Sequence, residues 1–274
     1  MPSLRALACP ASLKGVLSAR EAAAALARGL GDCEELPLAD GGEGTSDVVP
    51  GVIEAAAVIP FDSGRLDPFT SSRPFGELLA SLHADRLLVG LGGTANMDAG
   101  EGMLEAVVAL PPTTVLCDVA TTLYDAPRLF GPQKGATREQ VAQLEARFRA
   151  NERLAPYAHL PGSGAAGGLG AALASLGAEL VPGAATVLDL VGFDPSGYDL
   201  VVTGEGRVDG TTREGKVPFE VARRCAAAGV RCVVFGGAVD EPVPGAETVA
   251  LSGDPAHAAR DLEQLGARLL DAAG

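Results

Sequence analysis

The sequence predicts an α/β fold with a mainly parallel sheet flanked by helices. Short apolar runs alternate with Ala-rich helical patterns, and Gly-rich loops separate the two kinds of segment. Hydrophobic residues make up 47% of the 274 residues, which is enough for one large domain or two ordinary ones. Because aromatic residues are only 4% and Trp is absent, the core must be built from Ala, Val and Leu. Ligands of such folds bind at loops that leave the carboxyl ends of strands.

Strands are predicted from aliphatic runs, and helices from capping patterns and helical periodicity. The predicted strands are 4–9, 86–91, 115–119, 199–203 and 231–236. The predicted helices are 18–29, 138–151, 167–177 and 217–228. The first helix opens with Ser18 and Glu21 in a capping-box pattern. The stretch 45–72 carries three prolines and has an irregular pattern, so we interpret it as a connection or a reduced subdomain.

Charge and cysteine usage restrict the function classes. The net charge of −14 argues against nucleic acid and anionic membranes as partners, and an anionic substrate would need cations gathered locally at its site. The five cysteines are scattered without a C-x-x-C pair, which is typical of reduced thiols in a cytoplasmic protein. Since no apolar run is long enough to cross a bilayer, the sequence predicts a soluble cytoplasmic enzyme.

The lysines are the most informative residues. Of the 21 basic residues only Lys14, Lys134 and Lys216 are lysines, and each directly adjoins a glycine. A lysine is a compact point charge that suits a phosphate held in a tight glycine loop, where the broad fork of arginine does not. The alternative is that all three are ordinary solvated loop lysines. We favour a phosphate or carboxylate role for at least two of them.

Five segments are rich in glycine, and several of them interleave Asp or Glu. They are 39–45, 92–100, 130–135, 161–168 and 203–210. Glycine lets backbone N–H groups approach an anion, and carboxylates suit Mg²⁺ bound together with phosphate oxygens. Backbone donors, lysines, Mg²⁺ and a carboxylate base are the parts that phosphoryl transfer needs. Each loop taken alone is equally consistent with a tight turn.

Two further sequence patterns resemble known nucleotide-binding motifs. Gly162–Gly167 fits G-x-G-x-x-G and opens a helix, but no convincing strand precedes it, so a dinucleotide-dependent enzyme stays an alternative. The segment 210–217 approaches a P-loop, yet Val217 stands where Ser or Thr should hold Mg²⁺, and Pro218 follows. A strand, loop and helix with a lysine at this place still suits phosphate.

In this order, the segments resemble the type I glycerate kinase family. The motifs that carry the resemblance are Cys9–Gly15, Ala39–Thr45, Gly92–Met103, Phe130–Thr137 and Thr203–Pro218. The resemblance extends to about Gly237 and implies ATP- and Mg²⁺-dependent phosphorylation of D-glycerate at the 2-hydroxyl, rather than the 3-hydroxyl. It also implies two α/β domains with an active-site cleft between them. We expect a discontinuous Rossmann-like domain of residues 1–45 and 185–274, and an inserted second domain of residues 46–184.

The resemblance and the loop chemistry together suggest a role for each polar group. Catalytic roles are predicted for Lys14, Asp98, Lys134 and Asp209, the two Asp being candidates to take the hydroxyl proton. Binding of substrate or phosphate is predicted for Ser12, Arg73, Gly92, Gly93, Thr94, Gln133, Gly164, Arg207 and Lys216. Binding of Mg²⁺ is predicted for Asp40, Glu43, Asp118 and Glu205.

The chain resembles a shortened and partly divergent member of that family. Ala11, Met97 and Thr121 stand where the family carries polar loop residues. The alternatives are therefore a catalytically degenerate paralogue that binds a metabolite or nucleotide, and a kinase for another small hydroxy acid. In each case we expect a small-molecule partner, no nucleic acid or membrane partner, and a monomer or homodimer.

Overall fold

The computed structural model describes residues 4–64, 66–210, 212 and 215–272. The chain divides into two compact units, Met1–Asp40 with Val187–Gly274 and Gly41–Thr186. Each unit contains one parallel sheet with helices against it, which confirms the predicted α/β class. The domains predicted from the sequence, 1–45 with 185–274 and 46–184, stay a prediction about independent folding, which limited proteolysis would test.

Nine strands and nine helices are present in the described residues. The strands are β1 (Ala6–Ala8), β2 (Cys33–Glu35), β3 (Val52–Glu54), β4 (Leu87–Leu91), β5 (Thr113–Cys117), β6 (Glu179–Pro182), β7 (Leu200–Val208), β8 (Arg231–Val239) and β9 (Glu247–Ala250). The helices are α1 (Ala19–Leu30), α2 (Arg73–Ser81), α3 (Glu101–Ala106), α4 (Ala126–Phe130), α5 (Arg138–Ala150), α6 (Ala165–Ala174), α7 (Gly183–Leu190), α8 (Val217–Ala228) and α9 (Ala258–Asp271). No helix in this part of the chain is long and apolar enough to cross a membrane.

The first unit is built on a five-stranded sheet in the order β2-β1-β7-β8-β9, in which every neighbouring pair is parallel. Helix α1 begins at the predicted capping box, where Ser18 accepts from Glu21 N and the Glu21 carboxylate accepts from Ser18 N. Helices α1 and α9 pack closely at two glycines, because a Cβ at Gly29 would overlap Glu263 O and one at Gly266 would lie 2.6 Å from Leu26 O.

The second unit is built on a four-stranded parallel sheet in the order β3-β4-β5-β6. Its core packs fully buried aliphatic residues such as Leu91 and Met97 against two aromatic side chains, Phe75 and Phe148. Strand β3 lies within the stretch 45–72, so that stretch contributes an edge strand instead of being only a connection.

The structure corrects several predicted bounds. Strand β7 continues to Val208 through the predicted loop, because Gly204 has no side chain and lets Phe235 O approach the place of a Cβ. Strand β5 begins at Thr113, earlier than predicted. Helix α6 starts at Ala165, but Ala166, Gly167 and Gly168 have positive φ angles of 50°, 65° and 95°, so regular helix begins only after them.

Candidate active site

The loops that follow β4 and β5, together with the segment before β3, bring two predicted acidic residues together in the second unit. Leu91 and Cys117 are paired in register, so the residues after them lie side by side. A Cβ at Gly92 would lie 2.5 Å from Asp118 Oδ2, and one at Gly93 would lie 2.9 Å from Glu43 Oε2. Two carboxylates therefore reach the same Gly-Gly dipeptide, and any side chain there would displace them.

Lys134 is a buried cation in the same unit. It ends a short 3₁₀ turn, Pro132–Lys134, and is only 5% exposed. Its Nζ donates to Asn96 O at 2.8 Å. Burial lowers the pKa of Lys134 from 10.5 to about 8, although the negative charges of Asp118 and Asp98 oppose this change. The predicted lysine and two predicted carboxylates thus share one electrostatic environment.

Asp98 is held by a dense set of donors. Its Oδ2 accepts from Ser72 N at 2.7 Å, from Ser72 Oγ at 2.8 Å and from Gly102 N at 3.2 Å. Its Oδ1 accepts from Asn96 Nδ2 at 3.2 Å and from Gly100 N at 3.1 Å. A carboxylate offers about four lone-pair sites, and five donors occupy them. These contacts favour an anchoring role for Asp98 over the predicted role of proton acceptor.

Asn96 is a site residue that the sequence interpretation missed. Its Nδ2 donates to Ala166 O at 2.8 Å as well as to Asp98, and its backbone O accepts from Lys134. The left-handed turn at Ala166–Gly168 makes this contact possible, because a Cβ on Gly167 would overlap Asn96 O. No local sequence pattern marks Asn96, because the Gly-rich turn that its side chain contacts lies 70 residues away along the chain.

The first unit gathers a second set of predicted residues around Glu205 on β7. Thr212 Oγ1 donates to Glu205 Oε1 at 2.8 Å and accepts from Asp209 N at 3.1 Å. Lys216 Nζ lies 3.7 Å from Glu205 Oε2, at the residue that precedes α8. Burial raises the pKa of Glu205, with Asp40 and Asp209 adding to the effect and Lys216 opposing it. A strand and a lysine-led helix are thus present as predicted, while Thr211, Arg213 and Glu214 of the P-loop-like segment between them lie outside the described residues.

Other predicted residues of the first unit lie near this cluster. Ser12 is half-buried and Lys14 is exposed, in a turn closed by Leu13 and Leu17 that comes close to β7. A Cβ on Gly206 would lie 3.7 Å from Lys14 N. Arg207 forms ion pairs with Asp240 at 2.7 Å and with Asp209 at 3.6 Å.

Three predicted residues of the second unit have contacts of a different kind. Arg73 is exposed at the start of α2 and pairs with Glu77 at 2.9 Å and Glu105 at 3.2 Å. Gln133 is exposed beside Lys134. Gly164 packs against the chain after β5, where a Cβ would overlap Thr122 O. Packing therefore accounts for the glycine at 164, and surface ion pairs account for the side-chain position of Arg73.

The structural context of the alternative dinucleotide motif is not that of a nucleotide-binding loop. The residues that precede Gly162–Gly167 form turns and a short 3₁₀ segment, Ala155–Tyr157, and no strand leads directly into the motif in this described stretch. A Cβ at Gly162 would lie 2.6 Å from Cys117 Sγ. Gly162 thus serves packing against β5, which disfavours the dinucleotide alternative.

Candidate metal ligands occur as pairs. Within residues 4–64, 66–210, 212 and 215–272, no group of three or more His, Cys, Asp or Glu side chains could hold a metal ion. Of the four predicted Mg²⁺ ligands, Glu43 and Asp118 lie in the second unit and Asp40 and Glu205 lie in the first. A carboxylate pair fits Mg²⁺ only when phosphate oxygens and waters complete the octahedron.

Replacing Thr212 by Val tests the cluster around Glu205. We expect turnover to fall about tenfold, because Glu205 loses a donor and Asp209 N loses an acceptor, and the free energy of unfolding to fall by about 1–2 kcal/mol. Thr203→Val is the matched control, since that buried hydroxyl donates to Cys9 O at 2.8 Å in the same unit. Steady-state kinetics and urea unfolding of both variants separate the effects. Equal turnover in the two variants would remove Thr212 from the site.

Comparison with known proteins places these observations in a family. A model described as the glycerate kinase family matches residues 6–57 and 108–253. The glycerate kinase of Bacillus subtilis (strain 168) is 31% identical over 86% of this chain and 85% of its own length. The glycerate 2-kinase of Escherichia coli (strain K12) is 30% identical over 80% of this chain and 81% of its own. A crystal structure from Salmonella typhimurium LT2 that carries the name glycerate kinase 2 is 26% identical, with a TM-score of 0.77, and covers 99% of this chain and 98% of that one.

Proposed function

Because the chain belongs to the glycerate kinase family, we propose that it transfers the terminal phosphate of ATP to D-glycerate and forms 2-phosphoglycerate. The observation that carries the proposal is the buried ammonium of Lys134, which shares its surroundings with Asp98 and Asp118 at the carboxyl ends of β4 and β5. A chain with a net charge of −14 needs such a cation to bind an anionic acid.

The residues of the second unit suit binding of the acid. Lys134 contacts the carboxylate or the transferring phosphate, where its charge offsets the negative charge that develops in the transition state. The Gly92–Gly93 dipeptide lets a ligand approach the backbone closely and keeps Glu43 and Asp118 beside it. Glu43 and Asp118 would hold Mg²⁺, which supplies charge neutralisation between phosphate oxygens when it is bound.

The residues of the first unit suit phosphate and proton transfer. Lys216 and Lys14 are the lysines of this unit, and Lys216 precedes the first turn of α8, where free N–H groups also favour an anion. Glu205 and Asp40 offer a second carboxylate pair for Mg²⁺. Asp209, the other residue that the sequence suggests as proton acceptor, keeps that role in this proposal, because five donors surround the Asp98 carboxylate.

One departure from the family motif, Met97, is compatible with this chemistry. Met97 is fully buried in the core of the second unit, so the apolar side chain at that position packs against the sheet. Lys134, Asp118 and Glu43 keep the geometry described above. A degenerate paralogue that binds its ligand without turnover, or a kinase for another hydroxy acid, are the other outcomes of the test.

The test is a coupled ADP-release assay with Mg²⁺-ATP and D-glycerate, run beside L-glycerate and a control without substrate. We expect release that depends on D-glycerate and stops when EDTA removes the metal. Phosphorus NMR of the product then distinguishes 2-phosphoglycerate from 3-phosphoglycerate. No release from folded protein that still binds glycerate would establish the degenerate paralogue, and release with another hydroxy acid alone would change the substrate.

Two further properties belong to the proposal. All five cysteines are free thiols, and four of them are buried, which supports a cytoplasmic location. The partner is a small hydroxy acid, with no nucleic acid or membrane partner, and the oligomeric state is a monomer or a homodimer. Fractionation of the source cells and light scattering of the purified protein test these two points.

A further inference from the structure

Two buried oxygen atoms in the loop after β4 have no hydrogen-bond partner. Among the described residues, Thr94 Oγ1 and Asn96 Oδ1 are the two buried side-chain polar atoms in this state. Thr94 is 3% exposed and Asn96 is 0% exposed. Leaving a buried acceptor unpaired costs about 1–3 kcal/mol, and such atoms are rare in folded proteins. A pair of them in one loop leaves two hydrogen-bonding positions for a bound molecule to fill.

The orientation of the Asn96 amide is fixed by its neighbours. Nδ2 donates to Ala166 O at 2.8 Å and to Asp98 Oδ1 at 3.2 Å, and both of these partners are acceptors. Turning the amide over would set Oδ1 against two other oxygens. The network therefore presents Oδ1 as an acceptor, and the Asp98 carboxylate, with its five donors, keeps the amide in place.

Lys134 supplies a hydrogen-bond donor next to the backbone of Asn96. Its Nζ donates to the backbone O of Asn96 at 2.8 Å, and this is one of the three donors of an ammonium. Asn96 thus carries an unpaired side-chain acceptor while its backbone O binds a buried cation. A ligand that carries a hydroxyl donor close to a carboxylate satisfies both, and a small hydroxy acid has this arrangement.

We propose that both atoms bind the glycerate hydroxyl that is not phosphorylated: Asn96 Oδ1 accepts its proton and the Thr94 hydroxyl donates to its oxygen, while Lys134 contacts the carboxylate. This inference rests on the proposed function, since it names the groups that recognise its substrate. These two residues determine specificity, because an acid without that hydroxyl leaves both buried groups unpaired.

The test compares D-glycerate with two acids that each lack one hydroxyl, D-lactate and 3-hydroxypropionate. Dissociation constants are measured by calorimetry and kcat/KM by ADP release, for wild type, Thr94→Val and Asn96→Ala. We expect Thr94→Val to lower affinity and kcat/KM for D-glycerate about 10- to 100-fold. Its affinity for the acid that lacks the recognised hydroxyl stays within about twofold of wild type. Thr94→Ser keeps the hydroxyl and restores discrimination.

Stability gives an independent readout. Because Thr94 Oγ1 has no partner, Thr94→Val should unfold at the same or a higher temperature than wild type without ligand. Thr113→Val is the control, since that buried hydroxyl donates to Pro111 O at 2.7 Å, and its loss should lower stability without changing discrimination. Asn96→Ala loses two hydrogen bonds, so its binding constants are compared only at temperatures where it is folded.

The outcomes separate this inference from the proposed function. Wild-type affinity and discrimination in Thr94→Val would show that these atoms bind an internal water only, and would overturn the inference while the kinase activity stands. A wild-type protein that binds D-glycerate without ADP release would overturn the proposed reaction and leave the binding comparison decisive. A wild-type protein that does not bind D-glycerate would overturn both.

Discussion

Replacing Lys134 by Met should lower kcat about 10²- to 10³-fold and at the same time raise the stability of the protein. The loss of turnover follows from removing the buried cation that offsets the charge of the acid and of the transferring phosphate. The gain in stability follows from removing an ammonium that is held in a poorly solvated place with one hydrogen bond in the described structure.

The pH dependence of turnover and of stability follows from the lowered pKa of Lys134. Between pH 8 and pH 10.5 the unfolded chain holds this proton while the folded chain releases it, so the free energy of unfolding rises with pH across that window. The difference between the two values corresponds to about 3 kcal/mol that the buried charge costs below pH 8. Lys134→Met should lose this rise. In wild type, kcat/KM should fall as pH increases through about 8, because the ammonium loses its proton.

The measurement is of kcat and KM between about pH 6 and pH 10, a range that brackets the pKa of Lys134. Urea unfolding is measured at the same pH values. Arg138→Met is the control, because it removes an exposed cation at the start of α5, close to Lys134 in sequence. We expect it to change neither quantity. In Lys134→Arg the alkaline loss of activity should disappear, since a guanidinium stays charged. Turnover near that of wild type in Lys134→Met would remove Lys134 from the mechanism.

The sequence predicted the elements that have strong local signals. The family, the α/β class and the kinase assignment are confirmed, and α1, α5 and α8 begin and end close to their predicted bounds. Both α1 and α5 start at capping boxes, in which side chains three residues apart satisfy the first backbone N–H groups. Such signals depend on a few neighbouring residues, so a single sequence is sufficient to find them.

The strands that the sequence did not predict are short and lie at the edges of the two sheets. β2 consists of Cys33–Glu35 and β9 of Glu247–Ala250, and both lie at edges of the sheet. Neither shows an apolar run, because an edge strand is exposed on one side and is defined by backbone pairing with its neighbour. β6 even ends in Pro182, which is tolerated at an edge.

The sequence singled out candidate site residues only where the residue type itself suggests the chemistry. Lys134, Asp118 and Glu43 are unusual in the sequence because they are charged residues next to glycines or strand ends. Asn96 has no such mark, since its contacts with Lys134 and Ala166 span 38 and 70 residues of sequence. The role of Asp98 also depends on distant donors, and its predicted function as a base rested on its residue type.

Replacing Asp98 by Asn should therefore lower the free energy of unfolding by about 2–4 kcal/mol, because the side chain anchors the loop. An amide can accept at one end only, so its NH₂ group would face donors such as Ser72 N and Gly102 N, or Gly100 N and Asn96 Nδ2. Turnover should fall with the fraction of folded protein and with the displacement of Asn96, without the complete loss expected of a missing base. Urea unfolding and kcat measured on the same preparation decide the size of each effect.

Asp67→Asn is the matched control in the same unit, since Asp67 Oδ1 accepts from Phe69 N at an exposed turn, where the change should cost less than about 1 kcal/mol. The two roles of Asp98 predict opposite patterns. An anchor loses stability first and activity in proportion, whereas a base loses activity at unchanged stability. A folded Asp98→Asn protein with wild-type stability and no turnover would assign the hydroxyl proton to Asp98 and release Asp209 from that role.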